Sequence, residues 1–165
     1  MPCINQTMPD FFPIHVAASV GGSGNIDMFV KRCPGSASLC DAKGRTFLHV
    51  AVEKKEANVI RSACRNLSLS WIMNMVDNDG NTALHLAVEA GSLQMFCPLL
   101  ANPQVNLNLA NNTGETPLEI AEYKIPEDPF YNQVICRLTL FSSIGKQLIF
   151  WGRSSSASIC FAFVE

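Results

Sequence analysis

The chain has 165 residues, of which 48% are hydrophobic and 16% are charged, and its formal net charge is −2. This length fits a single domain, and the composition is that of a folded chain. A slightly acidic balance gives no support for a nucleic-acid-binding protein, which would carry an excess of lysine and arginine.

The N-terminal segment, residues 1–10, is a short polar lead-in with two prolines. It has no basic region and no apolar core, so it does not resemble a secretory signal. A repeated pattern begins almost at once, at about residue 7, without a polar capping unit before it. Solenoids normally have atypical, polar end units, so we expect either a longer array or a shortened N-terminus.

One motif recurs four times along the chain. It reads Gly-Asn-Thr-Ala-Leu-His-Leu-Ala from residue 80 and Gly-Arg-Thr-Phe-Leu-His-Val-Ala from residue 44, and related copies lie at residues 11–18 and 114–121. The marker position, spaced by 34 to 36 residues, is occupied by His15, His49, His85 and Glu119. A period of about 33 residues with T-P-L-H-x-A is the signature of ankyrin repeats, which this chain resembles.

The pattern predicts an all-α ankyrin-repeat solenoid of about four helix–turn–helix units with β-turn tips. The repeat region is expected at residues 11–129, and its units at about 7–40, 41–76, 77–110 and 111–129. A single unit cannot bury its apolar face alone, so the units must stack.

Turn and capping residues occupy equivalent places in the units. Asx residues and a glycine, such as Asp77 and Gly80, precede each first helix and favour a turn. A threonine follows, and its hydroxyl is expected to cap the helix. The three copies of this residue are Thr46, Thr82 and Thr116.

Several features are expected to weaken the array. The glycine-rich link at residues 21–24 is expected to be a loose connection between the helices of repeat one and to make this repeat the least stable unit. Pro98 is expected to cause a local break in the second helix of repeat three, because an interior proline costs about 3 kcal/mol. Two prolines, at 126 and 129, stop the first helix of repeat four, so its second helix should be weak or absent.

The composition changes at residue 130. Residues 130–165 are rich in phenylalanine, isoleucine, leucine and serine and carry no repeat pattern. The best apolar stretch, residues 134–151, is interrupted by Arg137, Gly145 and Lys146, so it does not predict a membrane span. We expect an irregular hydrophobic and serine-rich tail, poorly ordered or packed irregularly on the last repeat. The alternative is a peripheral membrane contact.

The seven cysteines are odd in number and scattered, which indicates a reducing compartment and therefore a cytoplasmic protein. Cys64 and Cys97 fall on helix faces that should be buried, where a thiol behaves as a small hydrophobe. Pairing of either thiol with a histidine for nucleophilic catalysis is conceivable, but core packing is the stronger interpretation.

The histidines are interpreted as structural. They lie roughly one repeat apart, which is too far for shared metal ligation, so each imidazole is expected to hydrogen-bond the turn of an adjacent repeat. The chain has no Cys-x-x-Cys pair and no phosphate-binding loop with its lysine. The sequence therefore predicts no catalytic, metal or cofactor site, no cofactor and no small-molecule substrate.

In the ankyrin pattern, turn tips and adjoining helix positions are exposed and contact a protein partner. The acidic pair Asp77 and Asp79 lies at such a tip, where a solvated turn is the main interpretation and a partner contact is the alternative. The predicted partner-binding positions are Ala42, Lys43, Arg45, Glu53, Lys54, Asn78, Asp79, Asn81, Glu89, Asn112, Thr113 and Glu115. The partner is expected to be a protein of unknown identity.

Three segments carry a narrower resemblance. Residues 13–18, 41–55 and 77–88 are similar to plant ankyrin-repeat membrane proteins of the accelerated-cell-death type. In that family a longer array precedes a multi-span membrane domain, and members act in defence and cell-death signalling at a membrane, here expected to be the plasma membrane. In this chain we expect a short array and no such domain. The resemblance implies a non-catalytic interaction module, or alternatively a truncated form that interferes with or regulates full-length relatives. Membrane association is then expected only peripherally or through those relatives.

Overall fold

A computed structural model describes residues 12–123 of the protein. The expectations for the polar lead-in, for the start of repeat one, for the second helix of repeat four and for the tail 130–165 lie outside the described residues. Within the described part no helix is long and apolar enough to cross a membrane.

The described chain folds into pairs of short helices, as the repeat pattern predicts. The helices are α1 (Pro13–Ser19), α2 (Ser23–Arg32), α3 (Phe47–Glu53), α4 (Ala57–Arg65), α5 (Ala83–Glu89), α6 (Leu93–Ala101) and α7 (Pro117–Tyr123). Two 3-10 helices, Pro34–Ser38 and Leu67–Ile72, follow α2 and α4. An isolated antiparallel bridge joins Val76 to Thr82, ahead of α5. The all-α solenoid predicted from the sequence is confirmed.

The helices form two rows. In the inner row α1 packs on α3, α3 on α5 and α5 on α7, while α2, α4 and α6 pack successively in the outer row. Small residues stand between the inner helices, and all of them are buried: Ala17, Ala18, Ala51, Ala87 and Ala121. These side chains let neighbouring helices approach closely along the inner row, in which every described helix has seven residues.

The outer helices add large apolar side chains to the core. Ile26, Ile60 and Phe96 occupy equivalent positions in α2, α4 and α6, and each is 3% exposed or less. Pro98 lies inside α6, and the helix continues through it to Ala101. The predicted break is therefore wrong, because burial of the residues on both sides of the proline holds the helix together despite the lost backbone hydrogen bond.

The link between the paired helices is short in all three repeats. It is 20–22 in repeat one, 54–56 in repeat two and 90–92 in repeat three. The middle residue of each link has a positive φ: 74° at Gly21, 61° at Lys55 and 63° at Gly91. In repeat one α2 begins at Ser23, and the backbone N–H of Gly22 donates to Ala17 O at 2.8 Å. The glycine-rich link is thus as tight as the other two, contrary to the loose connection expected from its composition.

Repeat one has an apolar face that turns away from repeat two. Val16, Val20 and Met28 are 51%, 69% and 53% exposed, and they border a shallow cavity of about 340 Å³. Val50, the residue equivalent to Val16 in repeat two, is fully buried. The exposed face is therefore the surface that the other repeats use for stacking.

Candidate functional site

The turn tips are closed by an Asx side chain at their first position. In repeat two Asp41 Oδ1 accepts from the backbone N–H groups of Lys43 and Arg45, both at 2.9 Å. Asp77 in repeat three and Asn111 in repeat four make the equivalent pair of bonds, at 2.8 to 3.0 Å. Because an aspartate and an asparagine both close the turn in this way, the turn requires one acceptor oxygen at its first position and does not require a charge.

Successive tips are also joined to each other. Asn78 donates its backbone N–H to Lys43 O at 3.0 Å and its side-chain amide to Ala42 O at 3.1 Å. Asn112 repeats this one unit further on, with bonds of 3.0 and 2.8 Å to the backbone of Asp79 and Asn78. Asn78 and Asn112 were predicted only as partner contacts. Their amide groups hydrogen-bond the preceding tip and so hold two repeats together. The presence of asparagine at the same position in both repeats was the sequence signal for this role.

The marker histidines connect the first helix of one repeat to the tip of the next. The Nε2 atoms of His15, His49 and His85 lie 3.0, 3.0 and 3.2 Å from the carbonyl oxygens of Arg45, Asn81 and Glu115. The hydrogen bond expected from the motif is therefore present at all three junctions.

The other ring nitrogen contributes to helix capping. Nδ1 of His49 accepts the backbone N–H of Thr46 at 3.1 Å, and His85 does the same for Thr82 at 3.0 Å. In repeat four the carboxylate of Glu119 takes over this role for Thr116, at 2.6 Å. Because Nδ1 accepts, the ring proton of each histidine is on Nε2, which donates to the next tip. The capping role of the histidine was missed when only the threonine hydroxyl was considered.

Burial sets the protonation state of these histidines. It lowers the pKa of His15, His49 and His85 below 6.5, although nearby backbone acceptors and aspartates act in the opposite direction. The neutral imidazole is the form that fits this arrangement, since a protonated ring could no longer accept at Nδ1.

A groove opens beside the tips of repeats two and three and is called the central groove below. Its volume is about 660 Å³. The residues that line it come from both tips and from the ends of α3 and α5: Ala42, Lys43, Arg45, Val52, Glu53, Asp77, Asn78, Asp79, Leu86, Glu89 and Ala90. Seven of these were predicted as partner contacts, and the structure brings them together in one concave surface.

The remaining residues that line the groove were not predicted as partner contacts. The exception is Asp77, for which a partner contact was the alternative interpretation. Val52, Leu86 and Ala90 form an apolar part of the groove, while Asp77 adds a carboxylate. The signal for Val52 and Leu86 was their position in the last turn of a first helix, close to the predicted contacts Glu53 and Glu89, and Ala90 directly follows α5.

Arg45 departs from its prediction as a solvent-facing contact. Its side chain is 13% exposed, and its Nε and Nη2 atoms lie 2.7 and 2.6 Å from Asp41 Oδ2. The guanidinium also forms an ion pair with Glu53, which in turn accepts from Lys54 Nζ at 3.2 Å. Burial raises the pKa of Asp41, but the hydrogen bonds and charge of Arg45 outweigh that effect and lower it below 3.8. Arg45 is therefore a structural part of repeat two.

The other predicted positions divide into two groups. Lys43 and Asp79 are exposed at the edge of the groove, and their charged groups have no hydrogen bond or ion pair with the described residues. The remaining predicted contacts do not line the central groove. Lys54 is exposed beside Glu53 in repeat two. The others lie in repeats three and four: Asn81, Asn112, Thr113 and Glu115. The role of these residues in binding stays a prediction.

The described part offers little chemistry besides binding. Among residues 12–121 no group of histidine, cysteine and acidic side chains is arranged to hold a metal ion. Burial raises the pKa of the Cys64 thiol to about 11, so it is protonated at neutral pH and is a poor nucleophile. Cys33 and Cys97 are not part of a disulfide, whereas Cys40 is disulfide-bonded. The compartment stays a prediction.

Comparison with known proteins agrees with this architecture. The family model described as ankyrin repeats (3 copies) matches residues 14–109 and 63–128. The chain is similar to neurogenic locus notch homolog protein 1 of Mus musculus, with 32% identity over 132 residues, which is 72% of this chain and 5% of the relative. The chain therefore spans about one twentieth of the length of that relative.

Two shorter similarities point in the same direction. Neurogenic locus Notch protein of Drosophila melanogaster is 40% identical over 81 residues, covering 49% of this chain and 3% of the relative. Alpha-latrotoxin-Lg1a of Latrodectus geometricus is 33% identical over 81 residues, covering 49% of this chain and 6% of the toxin. The regions shared with these long proteins are short stretches of their sequences.

Proposed function

The chain belongs to the ankyrin-repeat family, and from this premise we propose that it binds a protein partner along the central groove. Ankyrin repeats are protein–protein interaction modules, and the family is generally a non-catalytic scaffold. The proposed mechanism is rigid presentation: the stacked repeats hold a preformed surface, so little conformational entropy is lost when a partner docks.

One observation supports the groove as the binding surface. Lys43 and Asp79 stand at its edge with no partner in the described chain, whereas the backbone beneath them is held by hydrogen bonds within and between the tips. Charges that have no role in folding are free to select a partner and to speed its approach. We propose a protein as that partner, and neither a nucleic acid nor a small-molecule substrate.

The proposal is tested by affinity capture with the full chain. Lys43→Glu and Asp79→Lys reverse charges at the groove, and Arg61→Glu with Arg65→Glu reverses exposed charges on α4, far from it. Proteins captured by the wild type are identified by mass spectrometry and then compared among the variants. At least one groove variant should lose the partner while the α4 variant keeps it. Loss by the α4 variant alone would place recognition on the outer helices.

A narrower role rests on the resemblance of residues 13–18, 41–55 and 77–88 to the plant accelerated-cell-death proteins. We propose on this basis that the module acts in the cytoplasm in plant defence or cell-death signalling. The alternative is a truncated form of a multi-span membrane signalling protein, which regulates full-length relatives at the plasma membrane. Fractionation of cell lysate separates the two, since the first predicts a chain in the supernatant and the second predicts co-sedimentation with membranes.

A further inference from the structure

The outer helices carry an excess of positive charge, although the formal net charge of the whole chain is −2. Helices α2, α4 and α6 together contain one acidic residue, Asp27, whose two carboxylate oxygens both lie 3.4 Å from Ser62 Oγ. The same helices contain four basic residues: Lys31, Arg32, Arg61 and Arg65. The outer row therefore has an excess of three positive charges.

Two of these cations occupy the same position in successive helices. Lys31 and Arg65 are 34 residues apart and lie in the last turns of α2 and α4, and because α2 packs on α4 they stand at the same end of the outer row. Both side chains are exposed, and neither has a hydrogen bond or an ion pair with the described residues. Arg61, one helical turn before Arg65, is also exposed. The charges of Lys31 and Arg65 therefore take no part in the polar contacts between repeats.

The segment that follows α4 is longer than its counterpart in repeat one. Ile26 and Ile60, at equivalent positions of α2 and α4, are 34 residues apart, whereas Asp41 and Asp77, which open the next tips, are 36 apart. The two extra residues thus lie between α4 and the tip of repeat three, in the segment that contains the 3-10 helix Leu67–Ile72. In repeat proteins such insertions lie in loops on one face, which is often the binding face.

This longer segment exposes two large apolar side chains. Leu67 is 82% exposed and Trp71 is 50% exposed, whereas Leu69 and Ile72 of the same 3-10 helix are buried. Trp71 Nε1 donates to Ser68 O at 3.0 Å, so the indole can leave water without losing its hydrogen bond. The 3-10 helix contacts α4, which ends two residues before it. A leucine and a tryptophan therefore project next to the cation at the end of α4.

We propose that the surface formed by Lys31, Arg65, Leu67 and Trp71, called the basic edge below, binds the anionic surface of a lipid membrane. Lysine and arginine side chains are attracted by anionic headgroups. Tryptophan prefers the interface between headgroups and acyl chains, and an exposed leucine beside it adds apolar area. A protruding apolar side chain enters a fluid lipid interface directly, whereas an acidic protein segment would need a cavity shaped to receive it.

The basic edge has no residue in common with the central groove, so this inference is independent of the proposed function. Two cations and two apolar side chains give a reversible attachment that salt weakens. Such an attachment differs from association through membrane-spanning relatives, which should persist at high salt. The groove stays open to a protein partner while the edge lies on the membrane.

Binding is measured by co-sedimentation of the full chain with phosphatidylcholine vesicles that either contain or lack phosphatidylserine. The wild type should bind the phosphatidylserine vesicles at least tenfold more tightly, and added salt should release it. Binding should fall at least tenfold in the double variant Lys31→Gln with Arg65→Gln, which removes the charges, and at least threefold in Leu67→Ser. Circular dichroism establishes that each variant is folded.

Two variants elsewhere on the surface are the matched controls. Lys54→Gln with Lys55→Gln removes two exposed cations next to the first turn of α4, at the opposite end of this helix from Arg65. Val20→Ser removes an exposed apolar side chain of repeat one. Both controls should bind the phosphatidylserine vesicles as the wild type does.

Fluorescence shows whether the basic edge itself enters the lipid. The chain has two tryptophans, and Trp151→Phe leaves Trp71 as the single one. Phosphatidylserine vesicles should shift the emission of Trp71 to shorter wavelengths, and brominated lipid should quench it. Equal binding to the two kinds of vesicle, unchanged binding in Lys31→Gln with Arg65→Gln, or Trp71 emission that does not respond would overturn the inference. Absence of binding to either vesicle would also overturn it and would leave an acidic protein segment as the occupant to test.

Discussion

The imidazole of His49 and the backbone of Asn81, which are 32 residues apart in sequence, join two successive repeats. Nε2 lies 3.0 Å from Asn81 O, while Nδ1 accepts the N–H of Thr46 at the start of α3. One buried side chain thereby satisfies a helix cap and a carbonyl group of the next turn. The repeat pitch is thus set at each junction by a polar contact in addition to apolar packing.

Removal of a bridging histidine should destabilise the fold more than removal of the glutamate that replaces it in repeat four. His85→Ala removes one of the two donors to Glu115 O, which keeps its bond from the Asn111 N–H, and it leaves the buried Thr82 N–H without its acceptor, which costs about 1–3 kcal/mol. Glu119 is exposed, and among residues 12–123 it bonds within its own repeat alone, so Glu119→Ala should cost less. Urea unfolding of both variants measures the difference, and equal midpoints would contradict the bridging role.

The same histidines predict that the stability falls in mild acid. Burial lowers their pKa in the folded state below 6.5, so between that folded pKa and 6.5 the unfolded chain binds more protons. The free energy of unfolding should be constant from pH 7.5 to about 6.5 and then decrease as the pH falls. Urea midpoints measured between pH 7.5 and pH 5 test this.

The stability that Asp41 contributes should be lost in a lower pH range than the stability that depends on the histidines. The pKa of Asp41 is lowered below 3.8 in the folded state, so the stability that it contributes is complete above that value and is lost only as the pH falls below it. His49→Gln should flatten the decrease between pH 6.5 and 5 and leave the loss below pH 3.8 in place. A midpoint that does not change between pH 7.5 and 5 would refute the histidine assignment.

Much of the fold was predictable because the repeat signal is local. The histidine at position three of the first helix in repeats one to three, the turn glycine in repeats two to four and the alanines between inner helices follow from the 34- to 36-residue spacing. The helix that runs through Pro98 was not predictable in this way. A proline penalty of about 3 kcal/mol is a property of the local chain, whereas the burial of Phe96 and Leu99 that opposes it depends on stacking.

The sequence predicted which residues share the surface of the candidate site, but not the contacts that their side chains make within the chain. Lys43, Asp79 and Glu89 do line the central groove, since their register places them on the tips and inner helix ends. Arg45 shares this register, yet its guanidinium turns back onto Asp41. An arginine four residues after an aspartate was a visible sign of that ion pair, but the direction of a long side chain depends on partners that only the folded repeat assembles.

Charge reversal should therefore change the stability of the fold at Arg45 but hardly at the neighbouring Lys43. Arg45→Glu places a negative charge between two carboxylates and should cost about 3 kcal/mol, because it leaves the nearly buried Asp41 uncompensated. Lys43→Glu changes an exposed side chain that has no ion pair in the described part of the chain, and the variant should stay within about 0.5 kcal/mol of the wild type. Thermal and urea unfolding measure both, and similar midpoints would show that the Arg45 ion pairs contribute no stability.

A glycine should stabilise the link of repeat two. Lys55 has a φ of 61° at the position where repeats one and three have Gly21 and Gly91. Lys55→Gly removes the penalty of a left-handed conformation, about 1 kcal/mol, and part of this gain is offset by the greater entropy of the unfolded chain. We expect a net gain of about 0.5 kcal/mol. Lys54→Gly, at a residue with a φ of −85°, is the control and should destabilise; a gain there too would reject the conformational explanation.

The close approach of successive tips predicts a difference between two turn glycines of nearly the same conformation. Gly80 and Gly114 have φ values of 79° and 83°, so alanine at either position is strained by about 1–2 kcal/mol. A Cβ at residue 80 would also lie 2.5 Å from Asn112 Oδ1 and 2.6 Å from Asn112 N, whereas a Cβ at residue 114 meets no atom of the described residues within 4 Å.

Gly80→Ala should for this reason destabilise by at least about 1 kcal/mol more than Gly114→Ala, because the second variant has the backbone strain without the steric conflict. The displaced Asn112 would also lose its bonds to Asp79 O and Asn78 O, which hold the tips together. Urea unfolding gives the two free energies, and amide hydrogen exchange at Asn112 reports the local opening. Equal free energies with equal protection of that amide would mean that the tips of repeats three and four are not in contact.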